Sequence, residues 1–107
     1  MKHILFLCSQ NKLRSPTAEA VFCDYDDWEV RSAGLDNGAD VLVSIEDIEW
    51  AEYIFVMEQT HKNKLQQKFK KTIHKQHVIC LGILDDYKYM DKELIQILLH
   101  KVPKLIA

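Results

Sequence analysis

Short apolar runs alternate with amphipathic stretches along the chain. Residues 4–7 form a continuous apolar run, which is typical of a strand buried on both faces of a sheet. Further runs rich in aromatic and β-branched residues predict strands at residues 28–33, 53–57 and 77–81. The pattern therefore predicts four strands, each followed by a segment of different periodicity.

A helix is predicted after each strand, because a residue suited to cap a helix precedes apolar residues at helical spacing. The predicted caps are Ser15, Ser44, Thr60 and Asp91, and Ser44 forms a capping-box pattern with Asp47. The apolar positions expected to face the core are Ala18, Val21, Phe22 and Tyr25 in the first helix, Leu65 and Phe69 in the third, and Leu94, Ile95, Leu98, Leu99 and Val102 in the fourth.

This alternation of strands and helices predicts the α/β class. We expect a three-layer α/β/α arrangement, in which a four-stranded parallel open sheet carries helices on both faces. A length of 107 residues suits one domain with its own core, so residues 1–107 are interpreted as a single domain. In open parallel sheets, ligands bind beyond the carboxyl ends of the strands. The functional site is therefore expected at that edge.

The overall charge indicates no particular class of partner. The formal net charge is -2 and 28% of the residues are charged, so nothing favours binding to nucleic acid or to a membrane surface. The segment 62–75 departs from this balance, since it contains lysines at positions 62, 64, 68, 70, 71 and 75 and no acidic residue. We interpret this lysine-rich segment as a solvated helix face, with a docking surface for an anionic partner as the alternative.

The cysteines indicate a reducing compartment. There are three, an odd number, and the polar residues 9–12 interrupt the first apolar run too early for a secretory signal. We therefore predict a cytoplasmic protein with free thiols, in which Cys23 and Cys80 serve in packing. The histidines have no acids or thiols at metal-ligand spacing, so neither a metal nor another cofactor is predicted.

Residues 8–16, which read Cys-Ser-Gln-Asn-Lys-Leu-Arg-Ser-Pro, are the strongest candidate for chemistry. Ser15 as a cap and Pro16 at the first helical position would direct unpaired backbone N–H groups and the positive end of a helix dipole into this loop. Such a loop binds an anion. The predicted phosphate-binding residues are Ser9, Gln10, Asn11, Lys12, Leu13, Arg14 and Ser15.

Cys8 and Arg14 form a pair suited to phosphoryl transfer. A cysteine attacks phosphorus as a thiolate, which a helix N-terminus and a guanidinium stabilise. Arg14 can bind two oxygens of a phosphoryl group at once, a geometry that lysine cannot supply. The hydroxyl of Ser15 can donate to the thiolate. Asn11 tolerates left-handed backbone angles, and its amide can brace the loop from behind.

A proton donor for the leaving oxygen is expected across the site from the nucleophile. Asp85 and Asp86 follow the fourth strand and therefore fall at the same edge of the predicted sheet as Cys8. On position alone, either carboxyl group can serve as this acid. The ring of Tyr87 is the best candidate to stack beside an aryl substrate.

These motifs resemble those of the low-molecular-weight protein tyrosine phosphatase family. The family pattern is a cysteine, five residues and Arg-Ser-Pro, followed by Ala-Glu-Ala, and it matches Cys8, residues 14–16 and residues 18–20. Residues 32–34 match the Ser-Ala-Gly that ends the family's second strand, and residues 84–87 resemble the Asp-Pro-Tyr loop that carries its general acid. The resemblance implies a nucleophilic cysteine, a phosphate-binding arginine and an acid aligned with Asp85.

The sequence also departs from the family pattern. Gln10 replaces the loop glycine, so either the backbone path differs or a side chain crowds the loop. Leu13 replaces a second loop cysteine, which removes a thiol that could protect Cys8 as a disulfide. Asp86 replaces the proline of the acid loop and is a rival acid. The family is usually longer, with its additional residues after Gly34 and Tyr87, so a shallower pocket is expected here.

The sequence therefore predicts a phosphomonoester hydrolase, similar to protein tyrosine phosphatases, that acts through a phosphocysteine intermediate. Its expected substrate is a phosphorylated protein or a small phosphomonoester. One alternative is a phosphocysteine carrier similar to the cysteine-phosphorylated component of sugar phosphotransferase systems. A second is an arsenate reductase of the same fold, which would need Cys23 or Cys80 to resolve its intermediate. A third is a degraded phosphatase that binds anions without turnover.

Overall fold

A computed structural model describes residues 1–106, which form an open sheet of four parallel strands between two layers of helices. The strands are β1 (Lys2–Cys8), β2 (Trp28–Gly34), β3 (Tyr53–Val56) and β4 (His77–Cys80), in the sheet order β2-β1-β3-β4. The helices are α1 (Arg14–Phe22), α2 (Ile45–Trp50), α3 (Gln59–Lys68) and α4 (Lys92–Ile106). The predicted fold class is confirmed. Ala107, the last residue of the predicted domain, lies outside the described residues.

The central strand β1 explains why its sequence is apolar without interruption. Its side chains alternate between the two faces of the sheet, and both faces are covered by helices. Ile4 and Phe6 belong to the core cluster with α1 and α4, whereas Leu5 and Leu7 belong to the cluster with α2 and α3. All four side chains are fully buried. The sheet therefore forms the middle layer of two cores.

The parallel register brings the carboxyl ends of the strands to one edge. Cys8 pairs with Gly34 on β2, Leu7 pairs with Val56 on β3, and Val56 pairs with Cys80 on β4. The segment after β4 continues along the end of β3, since the backbone N–H of Ile83 donates to Met57 at 2.7 Å. The loops that follow β1, β3 and β4 therefore converge beside Cys8.

The helix α1 begins earlier than predicted. Its first residue is Arg14, its N-cap position is Leu13, and no side chain caps it. Ser15 therefore lies in the first turn, fully buried, and its prediction as the N-cap is wrong. The physical reason is that the Ser15 hydroxyl bonds to groups of the preceding loop, as described below.

The helix α3 also begins earlier than predicted. Glu58 is its N-cap and forms a capping box with His61, so the prediction of Thr60 as the cap is wrong. The box between Ser44 and Asp47 at the start of α2 is confirmed. Asp91 accepts a hydrogen bond from the backbone of Glu93 at 2.9 Å, which confirms its predicted capping of α4.

Three side chains predicted to be buried are exposed. Tyr25 lies beyond the end of α1, and Cys23 is exposed at the helix's C-cap, so the packing role predicted for Cys23 is wrong. Leu99 is exposed because the buried stripe of α4 runs through Leu94, Leu98, Val102 and Ile106. Cys80 is half-buried against the core of α2 and α3, as predicted. No helix within residues 1–106 is both long and apolar enough to cross a membrane.

Candidate active site

The loop between β1 and α1 curves around a small pocket at the carboxyl edge of the sheet. Its volume is about 120 Å³, and its lining residues are Cys8, Ser9, Gln10, Lys12, Leu13, Arg14 and Asp85. The candidate nucleophile, guanidinium and acid are therefore brought together. Asn11 and Ser15, also predicted in this loop, are buried behind the lining. A larger groove of about 800 Å³ lies alongside and shares Lys12 with the pocket.

The backbone of the loop is arranged to receive an anion. The carbonyl groups of Cys8, Ser9 and Gln10 each accept a hydrogen bond of 3.0 Å, from the backbone N–H groups of Leu35, Asp36 and Asp40. Within residues 1–106, no backbone N–H of residues 9–13 donates a hydrogen bond. The bonds to the carbonyl groups hold the loop in place, and its N–H groups remain available to a negatively charged ligand because they donate to no protein atom.

Gly34 allows the end of β2 to lie directly behind this loop. A Cβ atom at this position would lie 2.6 Å from the carbonyl oxygen of Ser9 and 2.5 Å from the Cβ of Ala39. Both distances are shorter than any contact between real atoms of these types. Only glycine therefore permits this close approach of two backbone segments.

A buried hydrogen-bond network directs one hydroxyl toward the thiol. The Oγ atom of Ser15 lies 3.0 Å from Sγ of Cys8 and accepts a hydrogen bond of 3.0 Å from Nδ2 of Asn11. Nδ2 also donates to Ser32, whose own hydroxyl donates to Glu19. Asn11 supplies the proton in its contact with Ser15, so the one Ser15 proton can go to the sulfur at 3.0 Å or to the carbonyl oxygen of Ala33 at 3.4 Å, and the contact with sulfur is the shorter. Asn11 has φ 56°, so the left-handed backbone and the bracing amide predicted for it are present.

Arg14 is held by two fixed acceptors at the back of the pocket. Its guanidinium is only 4% exposed, and Nη1 donates to Oε2 of Glu58 at 2.6 Å and to the carbonyl oxygen of Ile83 at 2.9 Å. Nε lies 3.7 Å from Oδ1 of Asp85. Two strong hydrogen bonds to different elements fix the plane of the guanidinium, which preorganises it for an anion.

His61 holds the other end of the loop. Its Nδ1 accepts a hydrogen bond from the backbone N–H of Glu58 at 3.1 Å, so Nε2 carries the proton and donates to Oγ of Ser9 at 2.8 Å. Burial lowers the pKa of His61, and the positive charge of Arg14 lowers it further. The ring is therefore neutral at pH 7. The hydroxyl proton of Ser9 is left for a ligand in the pocket.

Sequence reasoning did not identify Glu58 or His61 as site residues. Glu58 lies two residues after the end of β3 and so falls at the carboxyl edge of the sheet, and this position is the only signal that the sequence gives for it. His61 is the N3 residue of α3 and carries no signal beyond that position. Both act at the site through the capping box that begins α3.

The loop after β4 places Asp85, and not Asp86, at the pocket. Asp85 lines the pocket and is about two-thirds exposed, at 66% of its side chain. Asp86 is exposed outside the lining, and Tyr87 packs half-buried against the core of α1 and α4. The loop is tied to α1, since Thr17 accepts a hydrogen bond from the backbone of Met90 at 2.9 Å.

Neither Cys23 nor Cys80 lies close enough to Cys8 to form a disulfide with it. Cys80 pairs in register with Val56, and Val56 with Leu7, so two strand spacings, about 10 Å, separate Cys80 from β1. Cys23 lies beyond the C-terminus of α1, whose nine residues span about 13 Å. Disulfides require Cα atoms within about 7 Å. In the part of the chain that the structure describes, no group of three or more acidic, histidine or cysteine residues is arranged to bind a metal.

No residue of the lysine-rich segment lines the pocket, and Lys64 is connected to it only through Asp36. Lys62 is half-buried, and the lysines at positions 64, 68, 70, 71 and 75 are exposed. Lys64 forms an ion pair with Asp36, a residue of the β2–α2 loop that also accepts a hydrogen bond from Gln10 in the β1–α1 loop. Docking of an anionic partner on this segment stays a prediction.

The fold is similar to those of solved phosphatase structures. The YwlE arginine phosphatase from Geobacillus stearothermophilus has a TM-score of 0.79 at 23% identity, over 99% of this chain and 94% of that chain. SP-PTP, a low molecular weight protein tyrosine phosphatase from Streptococcus pyogenes, has a TM-score of 0.81 at 16% identity, over 100% and 95%. DARP, a drosophila arginine phosphatase, has a TM-score of 0.75 at 20% identity, over 99% and 96%.

No protein-family model matches the sequence, and no curated protein sequence does. The resemblance inferred from the motifs is thus confirmed by similarity to low molecular weight protein tyrosine phosphatase structures over nearly the whole chain. At identities of 16% to 24%, this similarity establishes the fold. Function has to be argued from the site itself.

Proposed function

We propose that the protein is a phosphomonoester hydrolase that acts through a phosphocysteine intermediate. Cys8 is the nucleophile, Arg14 and the backbone N–H groups of residues 9–13 bind the phosphoryl oxygens, and Asp85 is the general acid and base. The observation that carries this proposal is the convergence of a thiol, a guanidinium and a carboxyl group on one pocket of about 120 Å³. No two of the three are adjacent in sequence, so the fold alone brings them together.

The first half of the reaction transfers the phosphoryl group to the enzyme. The thiolate of Cys8 attacks phosphorus, an S–P bond forms, and the P–O bond to the leaving group breaks. Arg14 and the loop N–H groups stabilise the negative charge on the equatorial oxygens as they spread in the transition state. Asp85 donates its proton to the leaving oxygen, which departs as an alcohol or phenol.

The second half regenerates the enzyme. Asp85, now a carboxylate, accepts a proton from a water molecule as that water attacks phosphorus. The S–P bond breaks, its electron pair returns to sulfur, and inorganic phosphate leaves. Ser15 stabilises the returning thiolate through the contact of 3.0 Å between its Oγ and Sγ of Cys8. Asp86 lacks this position, which supports Asp85 as the acid.

Three alternative functions fit the site less well. A phosphocysteine carrier must hold its phosphoryl group without hydrolysis, but Asp85 at the pocket can activate water. An arsenate reductase must resolve its intermediate with a second thiol, and both Cys23 and Cys80 are remote from Cys8. A degraded phosphatase, in which Gln10 has ended catalysis, would bind an anion without turnover; the presence of Asp85 beside Cys8 and Arg14 at the pocket supports an active enzyme instead.

The proposal is tested by hydrolysis of para-nitrophenyl phosphate at mildly acid pH. We expect turnover by the wild type and its loss in Cys8→Ser, since a serine hydroxyl is a far weaker nucleophile without a general base. Cys23→Ser is the matched control, because Cys23 is exposed and distant from the pocket, and it should retain full activity. Equal rates for Cys8→Ser and the wild type would refute the assignment of the nucleophile.

Anion binding separates the remaining alternatives in the same experiment. Binding of inorganic phosphate without any turnover would point to the degraded phosphatase. A phosphocysteine that forms and survives for minutes in water would point to the carrier. Arsenate turnover that is coupled to thioredoxin and lost in Cys80→Ser would point to the reductase.

A further inference from the structure

The small size of the pocket limits what can accompany the phosphoryl group. Small-molecule sites usually enclose about 300–1,000 Å³, whereas this pocket encloses about 120 Å³. A volume of that size holds a phosphoryl group and little of the group attached to it. The side chains at the rim must therefore decide which leaving groups can approach.

Gln10 lines the pocket and is exposed, so it lies at the rim, and neighbouring residues hold its side chain. Its Nε2 donates to Oδ2 of Asp36 at 3.0 Å, and the other carboxylate oxygen of Asp36 accepts a hydrogen bond from Nζ of Lys64 on α3. The backbone is fixed at the same places, because Asp36 donates to the carbonyl of Ser9 and Asp40 donates to that of Gln10, each at 3.0 Å. A side chain held in this way acts as a wall.

The support from Asp36 persists at neutral pH. The hydrogen bond from Lys64 holds the pKa of Asp36 below its usual value, and the hydrogen bond from Gln10 lowers it further. Asp36 therefore stays a carboxylate, and both of its contacts are assisted by charge. Lys64 belongs to a different element from Gln10, so the wall is braced across two loops and a helix.

The backbone at Gln10 does not require glycine. Within the loop, only Asn11 has a left-handed φ. A glutamine in place of the loop glycine could either change the backbone path or place a side chain at the pocket. Since the backbone at Gln10 is unstrained, the structure favours the side chain at the pocket. A glycine here would leave this side of the pocket open.

We propose that Gln10 determines which substrates the enzyme accepts. Its side chain, positioned by Asp36 and Lys64, walls one side of the pocket and admits phosphomonoesters whose leaving group is narrow beside the bridging oxygen, such as a single ring or an unbranched chain. Fused rings and rings substituted next to that oxygen are excluded. This inference rests on the proposed hydrolase function and narrows its substrate class.

The test compares kcat/KM for 1-naphthyl phosphate and para-nitrophenyl phosphate. The ratio of the two values, compared between variants, cancels the intrinsic reactivity of the leaving groups. We expect Gln10→Ala to raise the naphthyl-to-nitrophenyl ratio about tenfold or more, since fitting or excluding a small group in a pocket changes kcat/KM about 10–200-fold. Inhibition by inorganic phosphate should change less than this ratio does, because the substitution removes only the side chain and keeps the backbone N–H of residue 10.

Matched variants separate the wall from general effects on the surface. Gln67→Ala removes an exposed glutamine of α3 and should leave the ratio unchanged. Lys64→Met should raise the naphthyl-to-nitrophenyl ratio, but by less than Gln10→Ala does. Lys68→Met, which changes another exposed lysine of α3, should leave the ratio unchanged. A ratio for Gln10→Ala within twofold of the wild type would overturn the proposal. An unchanged ratio for Lys64→Met would overturn the positioning role of Lys64.

Failure of the hydrolase proposal would be visible separately. Absence of turnover that depends on Cys8, with either substrate, refutes the hydrolase function and not the wall. The wall is then measured by calorimetry as the ratio of the binding constants of 1-naphthylphosphonate and phenylphosphonate. Gln10→Ala should raise this ratio as well, and an equal ratio in the wild type and the variant would overturn the wall.

Discussion

Ser15→Ala should weaken the nucleophile without disturbing the rest of the pocket. Ser15 is fully buried, and its Oγ contacts Sγ of Cys8 and Nδ2 of Asn11, each at 3.0 Å. A hydrogen bond to a charged group contributes about 1.5–3 kcal/mol. Because about 1.4 kcal/mol corresponds to a tenfold rate change, we expect kcat/KM to fall about 10- to 150-fold. The buried Asn11 amide also loses one acceptor, which costs about 1–3 kcal/mol of stability.

Two assays and one control isolate this effect. Hydrolysis of para-nitrophenyl phosphate gives kcat/KM, and alkylation of Cys8 by iodoacetamide, compared between variant and wild type at one pH, reports the reactivity of the sulfur and should also slow. Ser44→Ala is the matched control, since it removes the N-cap of α2, costs about 1 kcal/mol of stability and leaves the pocket intact. Unchanged kcat/KM and alkylation in Ser15→Ala would refute the reasoning.

Three further perturbations have expected outcomes. Asp85→Asn should lower kcat for an alkyl phosphate about 100-fold or more, whereas Asp86→Asn should stay within twofold; equal losses would contradict the assignment of the acid. Burial lowers the pKa of His61 below its usual value of 6.5. Just below pH 6.5 the unfolded chain therefore binds more protons than the folded chain. The free energy of unfolding should then fall as the pH drops from 7 toward 5. In urea denaturation, the free energy of unfolding of His61→Gln should decrease less over this pH range than that of the wild type. An identical decrease would contradict the lowered pKa of His61. Gly34→Ala forces a Cβ to within 2.6 Å of Ser9, which should cost about 1–3 kcal/mol in thermal unfolding and abolish phosphate binding; a variant that binds phosphate normally would contradict the close approach.

The sequence determined the architecture because its signals were strong and local. The apolar run of β1 is continuous, and the capping box of α2 and the buried stripe of α4 follow directly from residue types. The starts of α1 and α3 were wrong because tertiary contacts decided them. Ser15 is engaged by the thiol and Asn11, and Glu58 is anchored by Arg14 and His61.

The sequence predicted the site residues that lie in recognisable motifs, but it did not predict the residues from distant segments that support them. Cys8, Arg14 and Asp85 carry signals in their spacing and in their places after strands, and the pocket contains all three. The supports of the loop carry no such signal. The contacts from Glu58 to Arg14 and from His61 to Ser9 join residues more than forty positions apart, and a single sequence does not display them. Tyr87 packs half-buried against the core of α1 and α4, and its stacking beside a substrate ring stays a prediction.

The most direct test of the account is to trap the phosphocysteine. Asp85→Asn should still transfer the phosphoryl group from para-nitrophenyl phosphate, because nitrophenolate leaves without a proton, but should activate water slowly. Rapid acid quenching and mass spectrometry of the digested protein should then find one phosphoryl group on the peptide that contains Cys8. The same treatment of the Cys8→Ser/Asp85→Asn double variant should find no labelled thiol. Turnover of the substrate with no phosphoryl group on Cys8 at any quench time would contradict the central claim.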